Sequence, residues 1–203
     1  MTGRDDWGRQ VIETALAYAN HRWTAGAGNV LHGLDADGCP VDTPDVSWAG
    51  ERLDCGWWRV GEVNVGIPYG WGNASTIEEF EAGLSAGLCA GNVPEEKTRP
   101  VSRHTVGVDC SGLLSICWAL PRRIATRDIP AWAGVVERLE EIRQGDVFAK
   151  VGSHVMLFRA FADAERREAI IIDATRSTGK VSQRTENVAE LFAKGYLIFR
   201  KNR

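Results

Sequence analysis

Between Val106 and Leu120 the chain reads Val-Gly-Val-Asp-Cys-Ser-Gly-Leu-Leu-Ser-Ile-Cys-Trp-Ala-Leu, with Pro121 next. An apolar approach, an Asp, and then a long apolar run predict a loop that delivers Cys110 to the first turn of a buried helix. Asp109 is its natural N-cap, and Pro121 is expected to stop it about three turns later. A cysteine in that position meets unpaired N–H groups and the positive end of the helix dipole. Both favour thiolate over thiol, and a nearby imidazole favours it further. On its own, a lone cysteine is more often just a small buried residue.

Two downstream segments change that balance. Gly145-Asp146-Val147-Phe148 is followed by Gly152-Ser153-His154-Val155-Met156-Leu157-Phe158, which sets one histidine at the start of an apolar strand. Ala169-Ile170-Ile171-Ile172-Asp173-Ala174 then sets one carboxylate at the end of the next strand. A nucleophile, a base and a group that orients the base are the three roles of thiol acyl transfer. His104 competes for the role of base. His154 is preferred because a strand inside a sheet fixes an imidazole better than a polar loop does.

Asp-Cys-Ser-Gly opening a helix, Gly-Asp-Val and His-Val on following strands, and the upstream Pro68-Tyr69-Gly70-Trp71-Gly72 together resemble the NlpC-type cell-wall cysteine peptidases of the papain-like superfamily. The resemblance covers about residues 60 to 175. It implies Cys110 as nucleophile, His154 as base and Asp173 in the orienting position, with Tyr69 beside the nucleophile. It also implies a papain-like α+β fold and a peptide or muropeptide substrate. The chain departs from the pattern twice. Many members carry a histidine where this chain offers Asp173, and Gly72-Asn73 stands where a pair of glycines is usual. A carboxylate can hold an imidazole in place of the histidine.

The remaining substrate-site expectations cluster around these residues. Trp71 joins Tyr69 in a stretch where glycines admit a ligand close to the backbone and rings can stack on it; a glycine-rich turn with core aromatics is the alternative. Asp109, Ser111 and Ser153 flank the nucleophile and the base. Arg103 and His104 lie in a polar entry loop. Arg103 would meet a substrate carboxylate if it reaches the cleft, and is otherwise solvated.

The 203 residues fit one domain with a sizeable core and an N-terminal elaboration, divided here as residues 1–60 and 61–203. A charged fraction of 25% and a hydrophobic fraction of 44% are those of an ordinary globule. The net charge of −3 gives no basic surplus for nucleic acid. No apolar stretch reaches bilayer length, so membrane insertion is not expected. The start lacks a basic segment followed by an apolar core; as given the chain reads as cytoplasmic, or as exported if a leader has been removed.

Cys117, on the same helical face as Cys110, is expected in the core, and Cys39 and Cys55 would pair if the protein is exported. There is no Cys-x-x-Cys pair and no His-Glu-x-x-His motif, so neither a metal nor another cofactor is expected. Asp35-Ala36-Asp37-Gly38 with Asp42 and Asp45 faintly suggests a calcium loop but lacks its closing Glu, and reads as an acidic turn.

Along the chain, apolar spacing predicts a helix over residues 5 to 23 and a capped helix from Thr76 ended by Gly91. A loop-rich wrap lies between residues 24 and 61. A short helix running through Leu139 should precede strands at 147–150, 155–162, 168–174 and 180–183, with a helix at 188–193 and a last strand at 196–200. Helices first and an antiparallel meander after them define an α+β fold, with the cysteine helix packed on the sheet.

The chemistry that fits is amide hydrolysis through a thioester. A thioester acyltransferase or transglutaminase-like enzyme uses the same site, and an inactive peptide-binding module would keep the fold alone.

Overall fold

The computed structural model describes residues 3–48, 56–94 and 100–202. Its first element is α1 (Gly3–Asn20), whose Val11, Ile12, Ala15 and Tyr18 are buried at helical spacing. The expected extension to Trp23 does not form. Trp23 lies instead on strand β1 (Arg22–Thr24), which pairs antiparallel with β4 (Val63–Val65). The exchange buries the indole, lets its Nε1 donate to Gly66 O at 2.8 Å, and sets it edge-on to Phe80 and Trp58. A buried indole N–H needs such an acceptor, and a helix continued through Trp23 would not supply it.

The stretch read as a loop-rich wrap carries a second small ladder, β2 (His32–Leu34) with β3 (Pro40–Asp42), and buries Trp48 and Trp58. Next comes α2 (Ile77–Ser85), capped by Thr76, whose side chain accepts from Glu79 N while Glu79 reaches back to Thr76 N. It closes earlier than expected, on Gly87 rather than Gly91. Gly87 has φ +81, its N–H bonds Leu84 O, and Leu88 N–H bonds Gly83 O. Gly91 belongs to the following segment, where its N–H donates to Val106 O beside the parallel pair β5 (Cys89–Ala90) and β6 (Thr105–Val106).

The cysteine helix α3 (Cys110–Cys117) follows. It ends before Leu120 because Ala119 turns left-handed at φ +47, with Ala119 N–H bonded to Ile116 O and Leu120 N–H to Ser115 O. A single turn, α4 (Ile129–Trp132), leads into β7 (Ala133–Val135), where a helix had been expected to run on to Leu139. The extended conformation wins there because β12 (Leu197–Lys201) offers it a partner edge.

Strands β8 (Val147–Lys150), β9 (His154–Phe161), β10 (Glu168–Thr175) and β11 (Lys180–Asn187) form the meander, and α5 (Val188–Ala193) returns the chain to β12. The sheet order is β11-β10-β9-β8-β12-β7, antiparallel throughout. The architecture is α+β, with α3 packed on β9 and β10.

One core cluster joins Val11 and Ile12 of α1, Leu113 and Leu114 of α3, and Leu157 and Ile172 of the sheet. A second joins Phe148, Met156, Phe158 and Ile171 to Val188 and Leu191 of α5. Among the described residues no helix is long and apolar enough to cross a membrane. Cys39 is a free buried thiol and Cys117 is buried in the core, while Cys55 lies outside the described residues.

Candidate active site

Cys110 is the first residue of α3, and Asp109 holds it there. The Asp109 carboxylate is buried and fully used. Oδ1 accepts from Gly112 N at 2.6 Å and from Ser111 Oγ at 2.9 Å; Oδ2 accepts from Gly72 N at 3.1 Å and pairs with Arg123. One side chain thus caps the helix and fastens the Tyr69–Gly72 loop to it. The same loop is laced to the approach strand by Gly70 N to Val108 O at 3.0 Å and by Asp109 N to Asn73 O at 3.1 Å. Gly112 is required by this closeness, since a Cβ there would lie 2.2 Å from Asn73 O.

Asp109 and Ser111, expected to contact substrate, are therefore buried beneath the site and hold its frame. Tyr69 is buried close to Cys110. Burial first, and then the Cys110 charge, push its phenol far above the ordinary range and keep it a neutral hydrogen-bonding group. Trp71 is half-buried on the same loop.

His154 opens β9, and its Nε2 lies 2.6 Å from Asp173 Oδ2 on β10. Asp173 is buried, and it also receives Arg184 Nε on Oδ1 at 3.2 Å and Nη2 on Oδ2 at 2.8 Å. Burial opposes its charge, but the hydrogen bonds from His154 and Arg184 and their charges outweigh it and hold the carboxyl below its usual range. An ionised carboxylate only accepts hydrogen bonds, so His154 Nε2 carries the proton and Nδ1 is the ring nitrogen left for Cys110.

Cys110 lies close enough to act on the ring as well. Burial alone would make it easier to deprotonate. The bond to Asp173 and the nearness of Cys110, with their charges, win and push His154 up to about 10. A ring so placed stays cationic at neutral pH.

The structure therefore brings Cys110, His154 and Asp173 together, with His154 hydrogen-bonded to Asp173, Cys110 beside the ring and Tyr69 beside the sulfur. Ser153 lies in the exposed turn before His154, its N–H on Lys150 O. Arg103 and His104 are not brought in. Arg103 Nε and Nη2 donate to Asp37 at 2.6 and 2.9 Å, and His104 Nε2 lies 2.9 Å from the same carboxylate, so both complete the acidic turn. Asp35 in that turn accepts from the backbone of Asp37 and Cys39 and from Ser102. Among the described residues no cluster of His, Cys, Asp and Glu fits a metal ion.

Two arginines of the site were not foreseen. Arg123 comes from the polar connector after Pro121, and nothing in the local sequence links it to Asp109. Arg184 did leave a trace. It lies just past the predicted end of its strand, and continued alternation from Ser182 puts Ser182, Arg184 and Glu186 on one face. Opposite Ser182 is Asp173, and opposite Arg184 is Ile171, so the guanidinium reaches its carboxylate diagonally.

No protein-family model, curated protein or solved structure matches this chain.

Proposed function

We propose that this protein is a cysteine hydrolase of the NlpC type with a papain-like fold, cleaving an amide bond in a cell-wall peptide through a thioester acyl-enzyme. The observation that carries the reading is the placing of Cys110 at a helix start beside His154, whose ring is hydrogen-bonded to the buried Asp173. A cysteine at a helix start needs only a base within reach and a group that orients the base to become a nucleophile. The sequence motifs shared with the cell-wall peptidases support the choice of substrate class.

In this reading Cys110 Sγ attacks the scissile carbonyl carbon as a thiolate. The negative oxygen that develops faces the Cys110 and Ser111 N–H groups at the start of α3, since the Gly112 N–H is taken by the Asp109 cap. The His154 imidazolium protonates the departing amine. The neutral ring then takes a proton from water as its oxygen attacks the thioester, and the acid product leaves with the sulfur restored. Asp173 holds the ring in one orientation and one tautomer throughout. Tyr69, neutral and beside the sulfur, lines the acyl side.

Incubation with a muropeptide mixture and mass spectrometry of the products tests the proposal. The intact chain is expected to give new fragments separated by hydrolysis of one amide bond, and Cys110→Ala none. Equal cleavage by a folded Cys110→Ala variant would refute the assignment.

A further inference from the structure

We propose that Arg184 is a positioning residue of this site, clamping Asp173 from the strand on the far side of it from His154 and setting the pH window in which the Cys110–His154 pair is active. The inference rests on the cysteine-hydrolase reading.

Strand β10 lies between β9 and β11 in the sheet, so Asp173 is approached by His154 from one neighbour and by Arg184 from the other. The carboxylate side chain has no exposed surface, and two of the three side-chain bonds it accepts come from the guanidinium. A guanidinium keeps its charge at every pH the protein meets, whereas His154 must give up its proton during turnover. Asp173 therefore retains a counter-charge when the ring is neutral. Arg184 is itself braced, by an ion pair with Glu186 two residues on and by Nη2 to Met156 Sδ at 3.5 Å.

The charged and titratable groups around the pair come from several elements. They are Cys110 on α3, Asp173 on β10, Arg184 and Glu186 on β11, and Tyr196 just before β12. Tyr69 lies beside Cys110 with Asp109, Arg123 and Arg176 within electrostatic reach.

Removing one fixed cation from such a cluster lets every neighbour hold its proton to higher pH. Both limbs of the activity window then move upward together. A role confined to packing would lower the rate at every pH and leave the limbs where they were.

The test follows alkylation of Cys110 by iodoacetamide as a function of pH, with the Cys110 peptide quantified by mass spectrometry so that the other cysteines do not contribute. In Arg184→Met the acid limb is expected about one pH unit higher, which is about tenfold slower alkylation on that limb. Arg184→Lys, which keeps the charge but not the fork, is expected in between. Glu186→Gln removes an anion and is expected to move the acid limb of alkylation downward, so it tests the inference even if Arg184→Met does not fold. Limbs that stay in place in the folded variants, or that move the opposite way, overturn it. If Cys110 in the intact chain alkylates as an ordinary thiol with no reactive acid limb, the hydrolase reading fails first and takes this inference with it.

Discussion

Asp173 has its charge answered from both neighbouring strands, and both partners favour its ionised form. Arg184 lowers the proton affinity of the cluster, while the Asp173 carboxylate raises that of His154. Catalysis in the proposed mechanism needs the imidazolium, so activity should fall as pH rises through the His154 value of about 10. Asp173→Asn keeps the shape but removes the anion, and the alkaline limb should then drop towards the ordinary histidine value of 6.5. The rate below the limb should fall on the order of a hundredfold, the lower end of what a well-placed general acid–base contributes. A pH–rate profile of the variant measures both; an alkaline limb left near its original position would count against the assigned role of Asp173. His154 and Asp173 were legible because each is the single titratable residue of an apolar stretch, 154–158 and 169–174, and Cys110 because it follows the Asp that caps an apolar helix. Arg123 and Arg184 were not, because an arginine in a polar stretch looks solvated until the fold supplies its carboxylate.

The helices show which local rules can be trusted. Thr76 and Glu79 cap α2 as their spacing predicts, and Asp109 caps α3, because the atoms involved lie within one turn of each other. Helix ends were less legible. Two glycines follow α2, and the nearer one, Gly87, takes the left-handed position; α3 ends on Ala119, which carries a Cβ where glycine is favoured. Ala119 is exposed, so Ala119→Gly should relieve this strain without disturbing packing. The expected gain is about 0.5–1 kcal/mol in denaturant unfolding, and a loss would show that the left-handed turn is not strained. Strand β7 was read as helix for a different reason: its partner β12 lies far along the chain, and no local pattern announces a distant edge.

Across the whole molecule, the sheet is covered by α1, by the helix that carries the sulfur and by the shorter α5, and buried carboxylates within and beside it pair with arginines. Asp146, from the Gly-Asp-Val motif, is one of them. Its side chain is buried, and Arg200 on β12 donates Nε to Oδ1 at 2.9 Å and Nη2 to Oδ2 at 2.7 Å. This ties the start of the meander to the last strand. Asp146→Ala would leave the half-buried Arg200 guanidinium with the Glu141 carbonyl but without its carboxylate, and should cost about 1–2 kcal/mol in unfolding free energy. Thiol reactivity at Cys110 should survive wherever the variant remains folded, which separates this carboxylate from Asp173. The α+β class and the meander were legible from alternation and turn residues. The small ladders of the first third were not, since three-residue strands give too little alternation to read.

The order of parts along the chain has a consequence for a protein being made. The sulfur belongs to a helix completed near the middle of the sequence, while the ring, its carboxylate and the arginine behind them arrive on three later strands. A ribosome that has reached only β8 has produced the cysteine without the imidazole that lies beside it in the folded chain. In the proposed mechanism the sulfur therefore gains its acid–base partner only when strands made after its helix have joined the sheet.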